Sequence, residues 1–517
     1  KENKKKKMKI STCCFVFFTL LFIVSHVLAG GPYKDTPGFK TANVQNMKLQ
    51  KSFGSSRLSF VELDDVEAAY SSPIFFIELE GSRQEMGAAY ANLVGQEAID
   101  AYEYVLHKAG VGLIAKKALE SFLDNQWSQW LSKSVPQQYI EEFQGMLQES
   151  KKLGLKPTID KVVQRVTVLA NLPSDLPEDM IPVLEDELAQ SSDGALLDVI
   201  EIVRELFARP GGKQCSMYAT WGTRTENNQL FSARNLDYAS NTGVNQWKSV
   251  TVWKPVDGSH SHAAFGFVPL YGVLAGTNSQ GITVHEANLE ENIETFRGFP
   301  WIIRLRWIME NAKNIAQGEA LWRNSNNTVG YNHAICSSVD AAPFSHPALA
   351  LETRAWYTAY FQDNDPRETT VHHYDAEKNK TYVQYGHSLK EALWRTNHGY
   401  DPKIVDNYQW YGYGAWRWSM QRYNFSLGSF EYYERTNQKI GPLQAINMTS
   451  ILGDKGPTAY TCDPAVYQAK GSNILATTHQ PAINVTFASW EDGADDTWKP
   501  AACATFVRFD MTRYWIA

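Results

Sequence analysis

Arg209-Pro210-Gly211-Gly212-Lys213-Gln214-Cys215-Ser216-Met217-Tyr218-Ala219-Thr220-Trp221 is the stretch on which the reading of this chain turns. Its first four residues break any helix, because proline lacks an N–H and glycine brings no side chain to pack. The last seven read as a strand that opens on Cys215. Glu226-Asn227-Asn228 supplies a turn, and Leu230-Phe231-Ser232-Ala233-Arg234-Asn235 reads as the returning strand of a hairpin. A cysteine that begins a strand behind a glycine-rich loop is placed for cleavage of the chain before it. Cleavage would give Cys215 a free α-amino group, with a pKa near ~8 against ~10.4 for a lysine. That amine can take the thiol proton near neutral pH, so one residue supplies both nucleophile and base. The hairpin brings Arg234 and Asp237 near the start of the partner strand. A cation there favours thiolate, and a carboxylate can hold the amine by a charge-assisted hydrogen bond.

Upstream, Ile74 to Glu80 reads as a strand. Ser82 with Glu85 has the spacing of a capping box, and apolar residues recur at helical spacing from Met86 to Ala101. Further amphipathic segments at 116–131, 136–153 and 178–209 make 81–209 mostly helical, while 30–70 reads as polar and irregular. Downstream, strands are expected at 248–254, 262–268, 281–286, 348–352, 369–373, 381–385, 474–478, 483–488 and 505–509, and helices at 299–316, 388–395 and 415–437. A helical front thus precedes a mixed, strand-rich rear, an α+β chain.

At the N-terminus a lysine-rich stretch precedes an apolar run from Cys13 to Val24 and small residues around Ala29, the order of a secretory signal peptide spanning 1–29. A membrane anchor is the alternative, but the run falls short of the roughly 20 residues a spanning helix needs. No later segment is long and apolar enough to span, so no integral membrane segment is expected once the signal is removed. The secretory route agrees with sequons at Asn326, Asn379, Asn424, Asn447 and Asn484. It leads to a secreted or lysosomal protein. Four cysteines remain beyond the signal: Cys215, Cys336, Cys462 and Cys503. They allow two disulfides. With Cys215 free, one pair and one buried thiol is the simplest outcome; Cys462 with Cys503 is one such pair, and the sequence leaves the choice open. A net charge of −7 without a basic stripe excludes a nucleic-acid binder. His372-His373 and His260-Ser261-His262 lack carboxylate or cysteine partners at ligand spacing, so no metal and no cofactor is expected.

Cys215 to Gly222, followed by Ser232-Ala233-Arg234-Asn235-Leu236-Asp237-Tyr238, resembles the signature of the penicillin acyltransferase-like (acyl-CoA:6-aminopenicillanate acyltransferase-like) cysteine N-terminal-nucleophile (Ntn) hydrolases. Acid ceramidase, N-acylethanolamine acid amidase and bile salt hydrolase are more distant members of that superfamily. Glu80 to Gly87, Gly276 to Val284 and Arg395-Thr396-Asn397-His398 are similar to other elements of the family. The resemblance implies an αββα sandwich. It implies a mainly helical pro-region over 30–214 and a catalytic domain over 215–517, with self-cleavage between Gln214 and Cys215. Cys215 would be the nucleophile, tuned by Arg234 and Asp237. Oxyanion donors fall at Asn288 and Asn397. Arg422 matches a second active-site arginine, with Arg417 competing. Gln214 stands where some relatives carry a small residue, and the long front region supplies extra helices that could cover the cleft. The activity implied is hydrolysis of small-molecule N-acyl amides through a thioester, with the cleaved pro-region retained as a non-covalent subunit. An acyltransferase on the same scaffold, and a secreted binding protein without activity, are the alternatives.

Overall fold

A computed structural model of the chain describes residues 39–108, 111–171, 214–237, 243–289, 293–375, 380–405, 412–452, 462 and 473–515. The expected signal peptide, the expected helix at 178–209 and the sequon at Asn379 lie outside the described residues.

The front of the chain begins with strands. β1 (Lys40–Phe53) and β2 (Ser56–Leu63) form an antiparallel hairpin, and β3 (Phe75–Gly81) pairs antiparallel with β2. This corrects the expectation of an irregular 30–70. β1 is solvated on most positions, so it carries little of the apolar alternation that marks a half-buried strand. Helices follow: α1 (Arg83–Lys108), α2 (Leu113–Gln129), α3 (Gln137–Leu153) and α4 (Ile159–Ala170). Glu85 closes the predicted capping box, its Oε2 accepting from the Ser82 N–H at 2.8 Å and the Ser82 hydroxyl at 2.7 Å. α1 and α3 cross where each has a glycine. A Cβ on Gly87 would run into the Glu142 carbonyl, and one on Gly145 into the Gln84 carbonyl.

From Gln214 onward strands dominate: β4 (Gln214–Thr220), β5 (Phe231–Asp237), β6 (Lys248–Pro255), β7 (His262–Phe267), β8 (Ala275–Asn278) and β9 (Ile282–Asn288). The helix expected over 299–316 is two, α5 (Trp301–Asn311) and α6 (Ile315–Arg323). The break comes where the Asn314 side chain caps the second by accepting from the Gln317 N–H. β10 (Tyr331–Ser337), β11 (Ala348–Arg354), β12 (Tyr357–Phe361), β13 (Val371–Asp375), β14 (Lys380–Gln384) and β15 (Ala392–Arg395) follow. The helix expected at 388–395 is therefore wrong. Glu391 turns the chain at a φ of 59° and β15 pairs with β4, so tertiary pairing overrides local helix preference. α7 (Gly412–Arg435), α8 (Pro442–Leu452), β16 (Asn473–Gln480), β17 (Val485–Trp490) and β18 (Thr505–Asp510) complete the order.

Sixteen strands share one hydrogen-bonded sheet, in the order β12-β11-β10-β9-β8-β7-β6-β3-β2-β1-β18-β17-β16-β5-β4-β15. The three strands that precede Cys215 in sequence sit in its middle. β3 runs parallel to β6 on one side, and β1 runs parallel to β18 on the other. The two arms of the sheet face each other: Ser232 Oγ of β5 meets Thr283 Oγ1 of β9 at 2.7 Å, and the His285 and His479 rings lie 5.2 Å apart. α5 and α6 cover β8 to β10 on one outer face, and α7 and α8 cover β4, β5, β15 and β16 on the other. Cys462 and Cys503 form a disulfide, and Cys336 is a buried free thiol. Among the described residues no helix is long and apolar enough to cross a membrane.

Candidate active site

Cys215 lies at the start of β4, 2% exposed. β5 runs antiparallel beside it in the register Gln214 with Asp237, Cys215 with Leu236 and Met217 with Arg234. Ser216 turns toward α7 and Tyr218 toward α8, whereas Cys215 turns toward Arg234 and β9. Arg234 Nη2 is 3.6 Å from Cys215 Sγ. The same guanidinium donates from Nε to the Glu286 carbonyl at 3.0 Å and pairs through Nη2 with the Glu286 carboxylate.

The backbone nitrogen of Cys215 is gripped from another direction. It donates to Asn397 Oδ1 at 2.9 Å. Asn397 Nδ2 in turn donates to the Asn288 carbonyl at 2.6 Å. Arg422, on α7, reaches Asn397 Oδ1 with Nη2 at 2.6 Å and Ser216 Oγ with Nη1 at 2.8 Å, and Nη1 also bonds the Cys215 carbonyl. Asp237 is held by Asn473 Nδ2 at 2.8 Å and interacts with the Arg422 charge.

The electrostatics follow from burial. Burial pushes the Cys215 thiol up to about 12, and the Glu286 and Asp237 charges push the same way. Arg234 and the Asn288 backbone N–H pull it down. The sulfur is therefore a protonated thiol at neutral pH. Burial also lowers the Arg422 guanidinium, while the Asp237 and Cys215 charges support it. Arg234 Nη1 and Arg422 Nε, both buried, have no hydrogen-bond partner among the described residues.

All six residues singled out in the sequence come together here, from β4, β5, the end of β9, the turn after β15, and α7. The roles of the two asparagines need restating. Asn288 meets the sulfur and Asn397 through its backbone. Asn397 presents its carbonyl oxygen to Cys215 and Arg422, and its amide donor is engaged on Asn288. The Arg417 side chain lies outside the described residues. Glu286, Ser216 and Asn473 were missed. Glu286 carried a signal, a carboxylate inside the buried run Ile282 to Asn288. Ser216 and Asn473 carried none. Among the sequons, Asn326 is exposed, while Asn424 and Asn484 are partly covered. Asn447 is a correction: at 4% exposure inside α8 it offers no room for a glycan in the folded chain. Among the described residues no group of three or more His, Cys, Asp or Glu side chains could hold a metal.

No protein-family model matches this chain, and no curated protein does. Solved structures do. An N-acylethanolamine-hydrolyzing acid amidase ortholog from Caenorhabditis elegans is 12% identical, covering 52% of this chain and 93% of that one at a TM-score of 0.34. A conjugated bile acid hydrolase from Clostridium perfringens is 11% identical, covering 58% and 93% at 0.34. Penicillin V acylase from Agrobacterium tumefaciens is 13% identical, covering 53% and 83% at 0.32. Likeness this low carries nothing about activity, which has to rest on the residues around Cys215.

Proposed function

We propose that this chain is a cysteine Ntn amidohydrolase that cleaves itself between Gln214 and Cys215 and then hydrolyses small N-acyl amides. One observation carries the reading. The sulfur and nitrogen of Cys215, the two atoms that must become nucleophile and base, are each gripped by a separate side chain: buried Arg234 of the paired strand β5 on the sulfur, and Asn397 of the distant turn after β15 on the nitrogen. A structural cysteine needs neither grip. The layering of helices, two facing sheet arms and helices supports the αββα Ntn fold.

In self-cleavage, Cys215 Sγ attacks the Gln214 carbonyl carbon. The S–C bond forms, the C–N bond breaks, and the thiol proton ends on the Cys215 nitrogen. Water then splits the thioester: its oxygen joins the acyl carbon to give the Gln214 carboxylate, one of its protons returns to sulfur, and the other passes to the new α-amine. The freed amine keeps its partner in Asn397 Oδ1, and with a pKa near ~8 it can deprotonate the thiol. Turnover repeats the sequence on an external amide: the amine leaves, an acyl thioester remains, and water releases the acid. Developing oxyanion charge is held by buried donors, an effect worth roughly 3–4 kcal/mol per donor. The Asn288 backbone N–H and the guanidinium of Arg234, one nitrogen of which is open, lie on the sulfur side of the cysteine and can serve as such donors.

The cleaved front segment stays bound as a subunit. Its strands β1 to β3 sit between β6 and β18, so its loss would expose two sheet edges. The signal and the exposed Asn326 sequon support a secreted or lysosomal location.

Intact-mass measurement of wild type beside Cys215→Ala, at mildly acidic and neutral pH, tests the reading. Wild type splits into two co-purifying chains with Cys215 at a new N-terminus, and hydrolyses N-acyl amides; the variant does neither. If both stay whole and the Cys215 thiol never reacts, the enzyme reading fails and a binding protein takes its place.

A further inference from the structure

Asn397 is held more tightly than its contacts with Cys215 require, and its outer supports form an ordered chain. The Asn397 backbone N–H donates to Ser419 Oγ at 2.8 Å. Ser419 Oγ lies 2.7 Å from His398 Nδ1. His398 Nε2 lies 3.0 Å from the Tyr400 hydroxyl, which donates to the Tyr385 carbonyl at 2.8 Å.

The protons in this chain can be placed by counting. Tyr400 has one hydroxyl proton, and the Tyr385 carbonyl takes it. Tyr400 must then accept from His398, so Nε2 carries the hydrogen. In a neutral imidazole Nδ1 is then an acceptor. Thr396 Oγ1 also lies 2.9 Å from Ser419 Oγ and 3.2 Å from His398 Nδ1, but its one proton goes to the Ser419 carbonyl at 3.1 Å. Ser419 therefore donates its hydroxyl proton to Nδ1, 2.7 Å away, and a lone pair remains to accept the Asn397 N–H. His398 is 1% exposed, and burial, with the Arg395 and Arg422 charges, lowers it to about 3. It stays neutral across the working range, and the direction of the chain stays fixed.

Two further contacts show where the chain is aimed. Asn332 Nδ2 donates to the carbonyls of Thr396 and His398, the residues on either side of Asn397, at 2.8 and 3.0 Å. Ser419 and Arg422 are three residues apart on α7, so they share one helix face. From that face Ser419 holds the backbone of Asn397 while Arg422 holds its side-chain oxygen.

We propose that Ser419, His398 and Tyr400 are positioning residues for the Cys215 reaction: their one-directional hydrogen-bond chain fixes Asn397, and through Asn397 Oδ1 it fixes the nitrogen of Cys215. This rests on the amidase reading above. None of the three touches the sulfur. They act on the reacting atoms by setting one asparagine, and a shift of about 1 Å in such a group can cost on the order of 10²-fold in rate.

The test compares Ser419→Ala, Ser419→Thr, His398→Leu, His398→Asn and Tyr400→Phe with wild type. Self-cleavage rate, kcat and KM for an N-acyl amide, and a crystal structure of each are measured. Ser419→Ala should lower kcat and the cleavage rate about 10- to 100-fold, leave KM within twofold, and lengthen the Asn397 Oδ1 to Cys215 nitrogen distance beyond hydrogen-bond range. Ser419→Thr restores the hydroxyl and most of the rate. His398→Asn keeps an acceptor where Nδ1 stood and should outperform His398→Leu about tenfold. Tyr400→Phe removes only the far anchor and should cost no more than about fivefold. Unchanged rates and an unmoved Asn397 in Ser419→Ala overturn the proposal, as does equal loss in the two His398 variants. Should Ser419→Ala not fold, the His398 pair decides by the same readouts. If wild type itself is inactive while Asn397 moves in Ser419→Ala, the positioning chain stands and the amidase reading falls.

Discussion

Two buried clusters in this molecule each hold two arginines and two carboxylates, and they are built to different ends. One surrounds Cys215: Arg234, Arg422, Glu286 and Asp237. The other joins the front segment to the rear: Arg83 of α1, Glu142 of α3, and Arg306 and Glu310 of α5. In the second cluster the valences close. Arg83 Nη1 donates to both Glu142 and Glu310 at 3.0 Å, and its Nε pairs with Asp257 at 2.7 Å. Arg306 forks onto Glu142 at 2.7 and 2.8 Å and reaches Glu310 at 3.0 Å. Gln138 and Tyr139 take the remaining Glu310 oxygen at 2.9 and 3.0 Å. In the Cys215 cluster two guanidinium nitrogens stay open among the described residues, and a thiol stands at the centre. A closed set of charges holds segments together. An open one has donors left for charge that develops during a reaction.

The sharpest way to break this contrast is to remove one cation from the closed cluster. Arg306→Met leaves Glu142 and Glu310 buried with half their positive charge. Loss of one partner from a buried pair costs about 3–5 kcal/mol. Urea unfolding should show that loss, and the front segment should separate from the rear more readily after cleavage. Activity per folded molecule should stay within twofold. A variant as stable as wild type but inactive would mean that the closed cluster belongs to the site.

A smaller effect, of the opposite kind, is expected from Arg234→Lys. The charge remains, so Glu286 keeps a counterion and stability should fall by no more than about 1–2 kcal/mol. The planar fork is lost, and with it the simultaneous reach to Cys215 Sγ, the Glu286 carbonyl and the Glu286 carboxylate. Self-cleavage and turnover should drop about 10²-fold, measured by intact mass and product release. Full activity in Arg234→Lys would reduce this arginine to a structural ion pair.

The two clusters also differ in how much of them could be read from sequence. Cys215, Arg234 and Asp237 lie on one hairpin, where a short turn fixes which residues face each other, so local pattern was enough. Arg422, Asn288 and Asn397 came from a resemblance, because nothing local announces that a helix, a strand end and a turn will converge. Glu286 was overlooked although a carboxylate in a buried strand invites a search for its cation. The closed cluster was invisible: Arg83, Glu142 and Arg306 read as ordinary charges on amphipathic helices, and only helix packing turns them inward. The same limit explains the fold errors. β1 escaped because its mostly solvated positions lack apolar alternation, and β2, though largely covered, alternates only briefly at Leu58 and Phe60 before Val61 breaks the pattern. β15 read as a helix because Lys390-Glu391-Ala392-Leu393 favours one locally, while the edge of β4 claims it as a strand.

A third cluster lies between these types and gives the smallest of the expected effects. Arg395 pairs with Glu352 at 3.0 Å and with Glu368 at 2.6 Å, so one cation serves two buried carboxylates. Burial holds the Glu368 carboxyl up at about 7 against Arg395 pulling it down, and burial raises Glu352 as well. A carboxyl whose folded pKa lies above its unfolded value of ~4.3 binds its proton more tightly in the folded chain. Its contribution to stability is complete below that unfolded value and is lost as pH rises through about 7. For Glu368 the difference between the two ends of that window is on the order of 3–4 kcal/mol. Wild type should therefore melt at a lower temperature at pH 8 than at pH 5, and Glu368→Gln, which keeps the neutral form at every pH, should flatten that difference. Arg395 is two residues from Asn397, and Glu352 Oε2 accepts the backbone N–H groups of Tyr400 and Asp401 at 2.7 and 2.9 Å. Those bonds favour the ionised Glu352 carboxylate, so the turn that carries Asn397 should hold across this window, and the pH effect should fall on stability and not on turnover. A pH-independent melting temperature in wild type would place this cluster with the closed, purely structural one.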